Sequence, residues 1–192
     1  MRFALAVVLV LVLVPSAAQA RPRLAAGTAL GLSQSKLDSN DDASHTIGLF
    51  ARIGITPRLA TGLELQQFRT ESESGVSLRT WTVPLVVELS DNRHWVPTVV
   101  GAIGLDHQSE PFGGGAHGHH LEGGLGLEYR ADGGLTIGAD ARIGTRSMES
   151  DVVFDPSTAG PEMGGGGVVF LVPSHLSEGE YRSLRLTLGI RF

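Results

Sequence analysis

Apolar and polar residues alternate one by one through most of this 192-residue chain. The clearest case is the carboxyl-terminal stretch. Leu184, Leu186, Leu188, Ile190 and Phe192 take every second position there, and Ser183, Arg185, Thr187, Gly189 and Arg191 fill the gaps. A period of two puts successive side chains on opposite faces of a strand, so one face is apolar and the other polar.

The same rhythm predicts seven further strands. The first runs from about Leu24 to Gln34, with Leu24, Ala26, Thr28, Leu30 and Leu32 on one face. The second runs from Ser44 to Thr56, with Ile47, Leu49, Ala51, Ile53 and Ile55 opposite Gly48, Phe50, Arg52 and Gly54. After a tight turn at Pro57-Arg58, the third sets Leu59, Thr61, Leu63 and Leu65 against Gly62, Glu64 and Gln66. The fourth sets Trp81, Val83, Leu85, Val87 and Leu89 against Thr80, Thr82, Pro84 and Glu88. The fifth, Trp95 to His107, alternates poorly; its expected outward set is Val99, Gly101, Ile103 and Leu105. The sixth carries Leu121, Leu125, Leu127 and Tyr129 against Glu122, Gly124, Gly126 and Glu128. The seventh carries Leu135, Ile137, Ala139, Ala141 and Ile143 against Gly138, Asp140, Arg142 and Gly144. The terminal strand, from Tyr181, is the eighth.

The connections alternate in length. Those after strands two, four and six are short, whereas those after one, three, five and seven are longer, the last spanning roughly Ser147 to Gly179. Short turns at one end and long loops at the other are the pattern of transmembrane barrels, whose short turns are periplasmic and longer loops extracellular. An even strand count then places both termini at the periplasmic end.

The amino terminus has the layout of a secretory signal. Arg2 precedes the apolar run Phe3 to Val14, which is followed by Pro15, Ser16 and the small-residue site Ala18-Gln19-Ala20. That run is well short of the roughly 20 residues a membrane-spanning helix needs. Residues 1–20 are therefore expected to be cleaved, leaving residues 21–192 as one domain.

Composition narrows the picture. Glycine takes 26 of 192 positions, about twice its usual share. Many glycines sit inside alternating segments, among them Gly48, Gly54, Gly62, Gly124, Gly126, Gly138, Gly144 and Gly189. Glycine weakens a strand, so its repeated use on one face signals tight space, as inside a small barrel. The chain has no cysteine and hence no disulfide framework. Its net charge is −5 with no basic cluster, so no nucleic-acid partner is implied.

A strand closing on Phe192 resembles the final strand of bacterial outer-membrane β-barrels, which assembly machinery recognises. Leu184, Leu186, Leu188, Ile190 and Phe192 are the residues that resemblance implies as the assembly signal. With the leader and the hairpin rhythm, the mature chain looks like the small OmpA/OmpX-type barrels: all-β, eight strands, antiparallel, up-and-down and transmembrane. The resemblance implies an outer-membrane location, termini in the periplasm, a monomer, and contact with outer-membrane lipid, lipopolysaccharide and the barrel-assembly machinery. A soluble lipocalin-like barrel has the same period with the apolar face inward. The glycine-rich polar face, the loop rhythm and the placement of Trp81, Trp95, Tyr129 and Phe192 near strand ends favour the membrane arrangement.

The polar face carries charge that must then lie in the lumen. Pairing Ile55 with Thr61 sets Arg52 opposite Glu64, and pairing Tyr129 with Leu135 sets Glu122 opposite Arg142. Asp140, Glu128, Glu88, Arg185 and Arg191 share that face. An unpaired buried charge is very costly, so these groups are expected to pair. The plainer role is to fill the barrel, because eight strands leave an interior just wide enough for side chains. The alternative is a narrow porin-like channel.

His107, His117, His119 and His120 fall on or near the third long loop, beside Gly113-Gly114-Gly115. Imidazoles at this density bind zinc, copper or nickel. With no carboxylate or cysteine at ligand spacing, a flexible polar loop with weak adventitious binding is expected, and no dedicated metal or cofactor site. His107-Gln108-Ser109 is similar to the arrangement in outer-membrane lipid A deacylases. Glu122 faces the lumen, where Arg142 claims it, while His107 and Ser109 face outward, and the adjacent Glu110 cannot share their face in a regular strand, so no catalytic set is expected. The overall expectation is a structural or surface-interaction protein acting through its loops.

Overall fold

The computed structural model describes residues 23–35, 44–69, 77–109, 115–150 and 179–192. The expected leader, residues 1–20, lies outside the described residues. Eight strands follow in order: β1 (Leu24–Ser35), β2 (Ser44–Gly54), β3 (Leu59–Arg69), β4 (Ser77–Glu88), β5 (Trp95–Ser109), β6 (Gly115–Arg130), β7 (Leu135–Ser150) and β8 (Gly179–Arg191). Each pairs antiparallel with its chain neighbour, and β1 pairs with β8 to close an up-and-down barrel. Phe192 finishes the seam by donating its backbone N–H to the Leu24 carbonyl at 2.8 Å. Closure leaves no unpaired sheet edge, the condition for strands to cross a bilayer.

The apolar face points outward. Leu30, Leu49, Leu105, Leu121, Ile143 and Leu186 are all more than half exposed, while Glu64, Arg142 and Arg185 on the opposite face are buried. The lipocalin-like inversion is thereby overturned. Trp95 and Tyr129 are cross-strand partners with ring centroids 5.0 Å apart near the end that carries the termini, and Trp81 lies outward toward the other end. On β5 the outward set is Val99, Gly101, Ile103 and Leu105 as expected. Its alternation is weak in sequence because the inward positions Val96, Val100 and Ala102 are apolar too.

Two hairpin registers differ from expectation. Ile53, not Ile55, pairs with Thr61, so Arg52 lies opposite Gly62 and Glu64 opposite Phe50. The cause is the turn. β2 stops at Gly54 instead of Thr56, and Thr56 turns its hydroxyl to accept the Leu59 N–H at 3.0 Å. Likewise Ile137, not Leu135, pairs with Tyr129, which sets Glu122 opposite Gly144 and Arg142 opposite Gly124. Here the Ala131 N–H reaches the Leu135 carbonyl at 2.9 Å, and Gly134 adopts a φ of 85°. A left-handed residue closing a three-residue loop is what such hairpins require, and glycine supplies it without steric cost.

β6 begins at Gly115 and β5 runs to Ser109, so both reach further than the alternation suggested. The connection between them spans only 110–114 and is not the long loop expected. β7 continues to Ser150, and the connection from 151 to 178 lies outside the described residues. Pro84 sits in mid-strand on β4, facing inward. The β3–β4 register holds on both sides of it, Thr61 with Leu85 and Glu64 with Thr82, but no pairing is formed between. Proline has no N–H to give the ladder. Its carbonyl is taken instead by the Thr61 hydroxyl at 2.8 Å.

Candidate functional site: a charged lumen and an outward histidine pair

The lumen is built from inward positions of the eight strands, and its middle is occupied by charged side chains. Arg142 is its hub. Its Nε donates to Asp140 at 2.8 Å, and its terminal nitrogens reach Glu64 at 3.1 Å and also Glu122. Arg185 donates to both oxygens of Asp140 at 2.9 and 3.0 Å and to Glu64 at 2.8 Å. Arg52 donates to Glu64 at 3.1 Å. Three guanidinium groups thus meet three carboxylates, and Arg52 also stands 3.8 Å from Glu128 toward the end carrying the termini. Such pairing is what makes a buried ionic cluster tolerable in low dielectric.

The structure therefore brings together Arg52, Glu64, Glu122, Arg142, Asp140 and Arg185. The Arg52–Glu64 and Arg142–Glu122 contacts are diagonal rather than directly opposed, and diagonal neighbours remain within reach of long side chains. Glycines stand directly across from five of these charges: Gly62 from Arg52, Gly124 from Arg142, Gly144 from Glu122, Gly126 from Asp140 and Gly31 from Arg185.

Toward the end carrying the termini, Arg130 donates to both oxygens of Glu88 at 2.6 and 2.9 Å and to Glu128 at 2.6 Å. Toward the loop end, Asp106 accepts from Arg146 at 2.9 Å and pairs with His120 at 3.0 Å. Beyond lies an apolar cluster of Phe68, Leu78, Ala116 and Met148. Tyr181 donates to Glu122 at 2.9 Å, and the Arg146 guanidinium lies 4.6 Å from its ring centroid.

Sequence reasoning missed His120, Asp106 and Tyr181 as lumen residues. Their parity held the signal: His120 is two residues before Glu122, and Tyr181 is four before Arg185. Thr82, His120 and Asp106 form a hydroxyl–imidazole–carboxylate chain, with Thr82 Oγ1 3.1 Å from His120 Nε2. All three are buried, and Arg146 also holds Asp106. This chain satisfies polar groups inside the barrel.

The other three histidines of the 107–120 segment are on strands and not on a loop. His107 lies on β5, and His117 and His119 lie on β6. His107 and His117 are direct cross-strand partners, with Nδ1 atoms 3.1 Å apart. Ser109 Oγ lies 3.3 Å from His107 Nε2. Glu122 is committed to Arg142 and Tyr181 inside the barrel, and Asp106, the chain neighbour of His107, is held there by His120 and Arg146.

The family model for the outer membrane protein beta-barrel domain matches residues 3–167. Among solved structures, the fold is similar to Neisserial surface protein A, with a TM-score of 0.61 and 12% identity over 89% of this chain and 97% of that one. Ail, the attachment invasion locus protein of Yersinia pestis, gives a TM-score of 0.49 and 15% identity over 90% of this chain and 100% of that one. No curated protein sequence matches the chain. A closed eight-stranded barrel with an outward apolar belt, together with a family match over most of its length, places this chain in the family of outer membrane protein beta-barrel domains.

Proposed function

We propose that the protein is a closed scaffold in the outer membrane, with its termini and short turns in the periplasm. The connections 36–43, 70–76, 110–114 and 151–178 then face outside and carry the surface interaction, since loops on a rigid frame are where binding resides. The observation that supports this is the filled lumen. The Arg142–Glu64 cluster occupies mid-barrel, and the Phe68–Leu78 cluster lies toward the loop end. A porin needs an aqueous path that such packing denies. Neisserial surface protein A is a surface protein by name, and an analogous role is part of this proposal.

The chain contains no cysteine, so single cysteines give clean labels. In intact cells a membrane-impermeant maleimide should react with an Ala159→Cys variant and spare Gly133→Cys. The purified protein should give no discrete conductance in planar bilayers. Cells expressing it should adhere to matrix-coated surfaces, and replacing 153–176 by a short Gly-Ser linker should abolish that adherence. Steady single-channel steps, reversed labelling, or adherence unchanged by the replacement would overturn the proposal.

A further inference from the structure

We propose that His107 and His117 form a binding site for a first-row transition-metal dication, Zn(II), Cu(II) or Ni(II), on the outer wall of the barrel at its loop end. Their Nδ1 atoms converge to 3.1 Å, with ring centroids 4.6 Å apart and planes inclined by 33°. Two imidazole nitrogens bound to one tetrahedral ion at about 2.0–2.1 Å stand roughly 3.3 Å apart, so a small opening of the pair admits a metal. Imidazole nitrogen suits zinc, copper and nickel, whereas magnesium and calcium prefer oxygen.

Two further features support chelation. His107 Nε2 is engaged by Ser109 Oγ at 3.3 Å. With the proton on Nε2, that contact leaves the Nδ1 lone pair toward the partner ring; fixing the tautomer through the second nitrogen is how metal-binding histidines are oriented. The register also sets Glu149 directly across from His117 on β7, bringing a carboxylate to the same outward row. Arg79, across from His107 on β4, is the opposing charge in that row. Among the described residues no three potential ligands are already gathered at bonding reach. The site is thus a two-imidazole chelate, with remaining positions left to water or to Glu149 after a side-chain rotation.

Position makes the pair accessible. The row containing Trp81, Leu105 and His119 lies two residues closer to mid-barrel, roughly 7 Å along the strands. The pair therefore stands beyond the outer tryptophan, on the wetter side of the apolar belt. Sequence spacing alone hid this, because His107 and His117 meet only through the β5–β6 register.

The test is calorimetric titration of the untagged, detergent-refolded barrel with Zn(II), Cu(II) and Ni(II), each variant first checked for a heat-dependent mobility shift. One site per barrel is expected. His107→Ala and His117→Ala should each weaken it by at least about tenfold, given that even supporting partners of a metal ligand are worth 10–100-fold. His45→Ala on β2 should leave affinity unchanged. Cu(II) electron paramagnetic resonance should report two equatorial nitrogens that drop to one in either variant. No binding at millimolar metal, or a site unaffected by both substitutions, would overturn the assignment.

Discussion

Arg142 and Gly124 are direct cross-strand partners on β6 and β7, and a Cβ on Gly124 would lie 2.8 Å from Arg142 Cγ and 2.3 Å from the Ala141 carbonyl oxygen. The buried Arg142 side chain therefore lies over a residue with no side chain of its own. This explains the glycines in the polar face more specifically than crowding in general. At this position the guanidinium-bearing side chain and the neighbouring backbone leave no room for a Cβ.

Gly124→Val should accordingly push Arg142 off its carboxylates. Overpacking in a close-packed interior costs about 1–3 kcal/mol, and here the nearest obstacle includes backbone. The expected result is an earlier urea midpoint, followed on gels by loss of the folded band. Gly133→Val is the control, since a Cβ there meets nothing within 4 Å.

Arg142→Met should be more damaging, because it strands Glu64, Glu122 and Asp140 with fewer cations than carboxylates. Removing one partner of a buried pair costs about 3–5 kcal/mol. Adding Glu122→Gln to the same chain should recover part of the loss. If the double variant is no more stable than the single one, charge balance is not what holds this cluster.

His120→Phe tests the buried hydroxyl–imidazole–carboxylate chain as a packing device. It leaves the Thr82 hydroxyl without that bond and Asp106 with Arg146. An unsatisfied buried donor or acceptor costs about 1–3 kcal/mol. Thermal unfolding should shift downward, and removing the stranded hydroxyl as well, in Thr82→Val/His120→Phe, should narrow the deficit. A variant as stable as the parent would remove the structural role assigned to this chain.

The short turns carry one exposed ion pair with a pH signature. Arg58 Nε donates to Asp91 at 3.0 Å across the turns that follow β2 and β4. This hydrogen bond, more than the charge itself, holds the Asp91 carboxyl below its ordinary range. A depressed carboxyl contributes stability above its unfolded-state pKa and loses it as pH falls through the folded-state value. Carboxyl chemical shifts should show Asp91 titrating at lower pH than a free aspartate, and Arg58→Ala should return it to the ordinary range. An identical midpoint in the variant would show that Arg58 does not engage it in solution.

Period-two alternation was enough to locate most strands and to say which residues share a face; the antiparallel succession rested on the turns between them and on the resemblance. Covalent geometry fixes side-chain direction residue by residue, so parity is a local property. It put Leu184, Leu186, Leu188, Ile190 and Phe192 on the apolar face and Arg52, Glu64, Glu122, Asp140, Arg142 and Arg185 on the polar one; the closed barrel turns the first outward and the second inward. Register and strand ends are not local in the same way. Thr56 turned its side chain back into the first short turn, and Gly134 took a left-handed conformation in the third. Each moved its hairpin by two residues, which preserves parity but changes every partner. Only the tertiary structure could set Arg142 over Gly124 and carry β5 and β6 far enough for His107 to meet His117. Those contacts depend on turn geometry and on closure of β1 against β8, while the alternation that specifies each strand is indifferent to a two-residue slip.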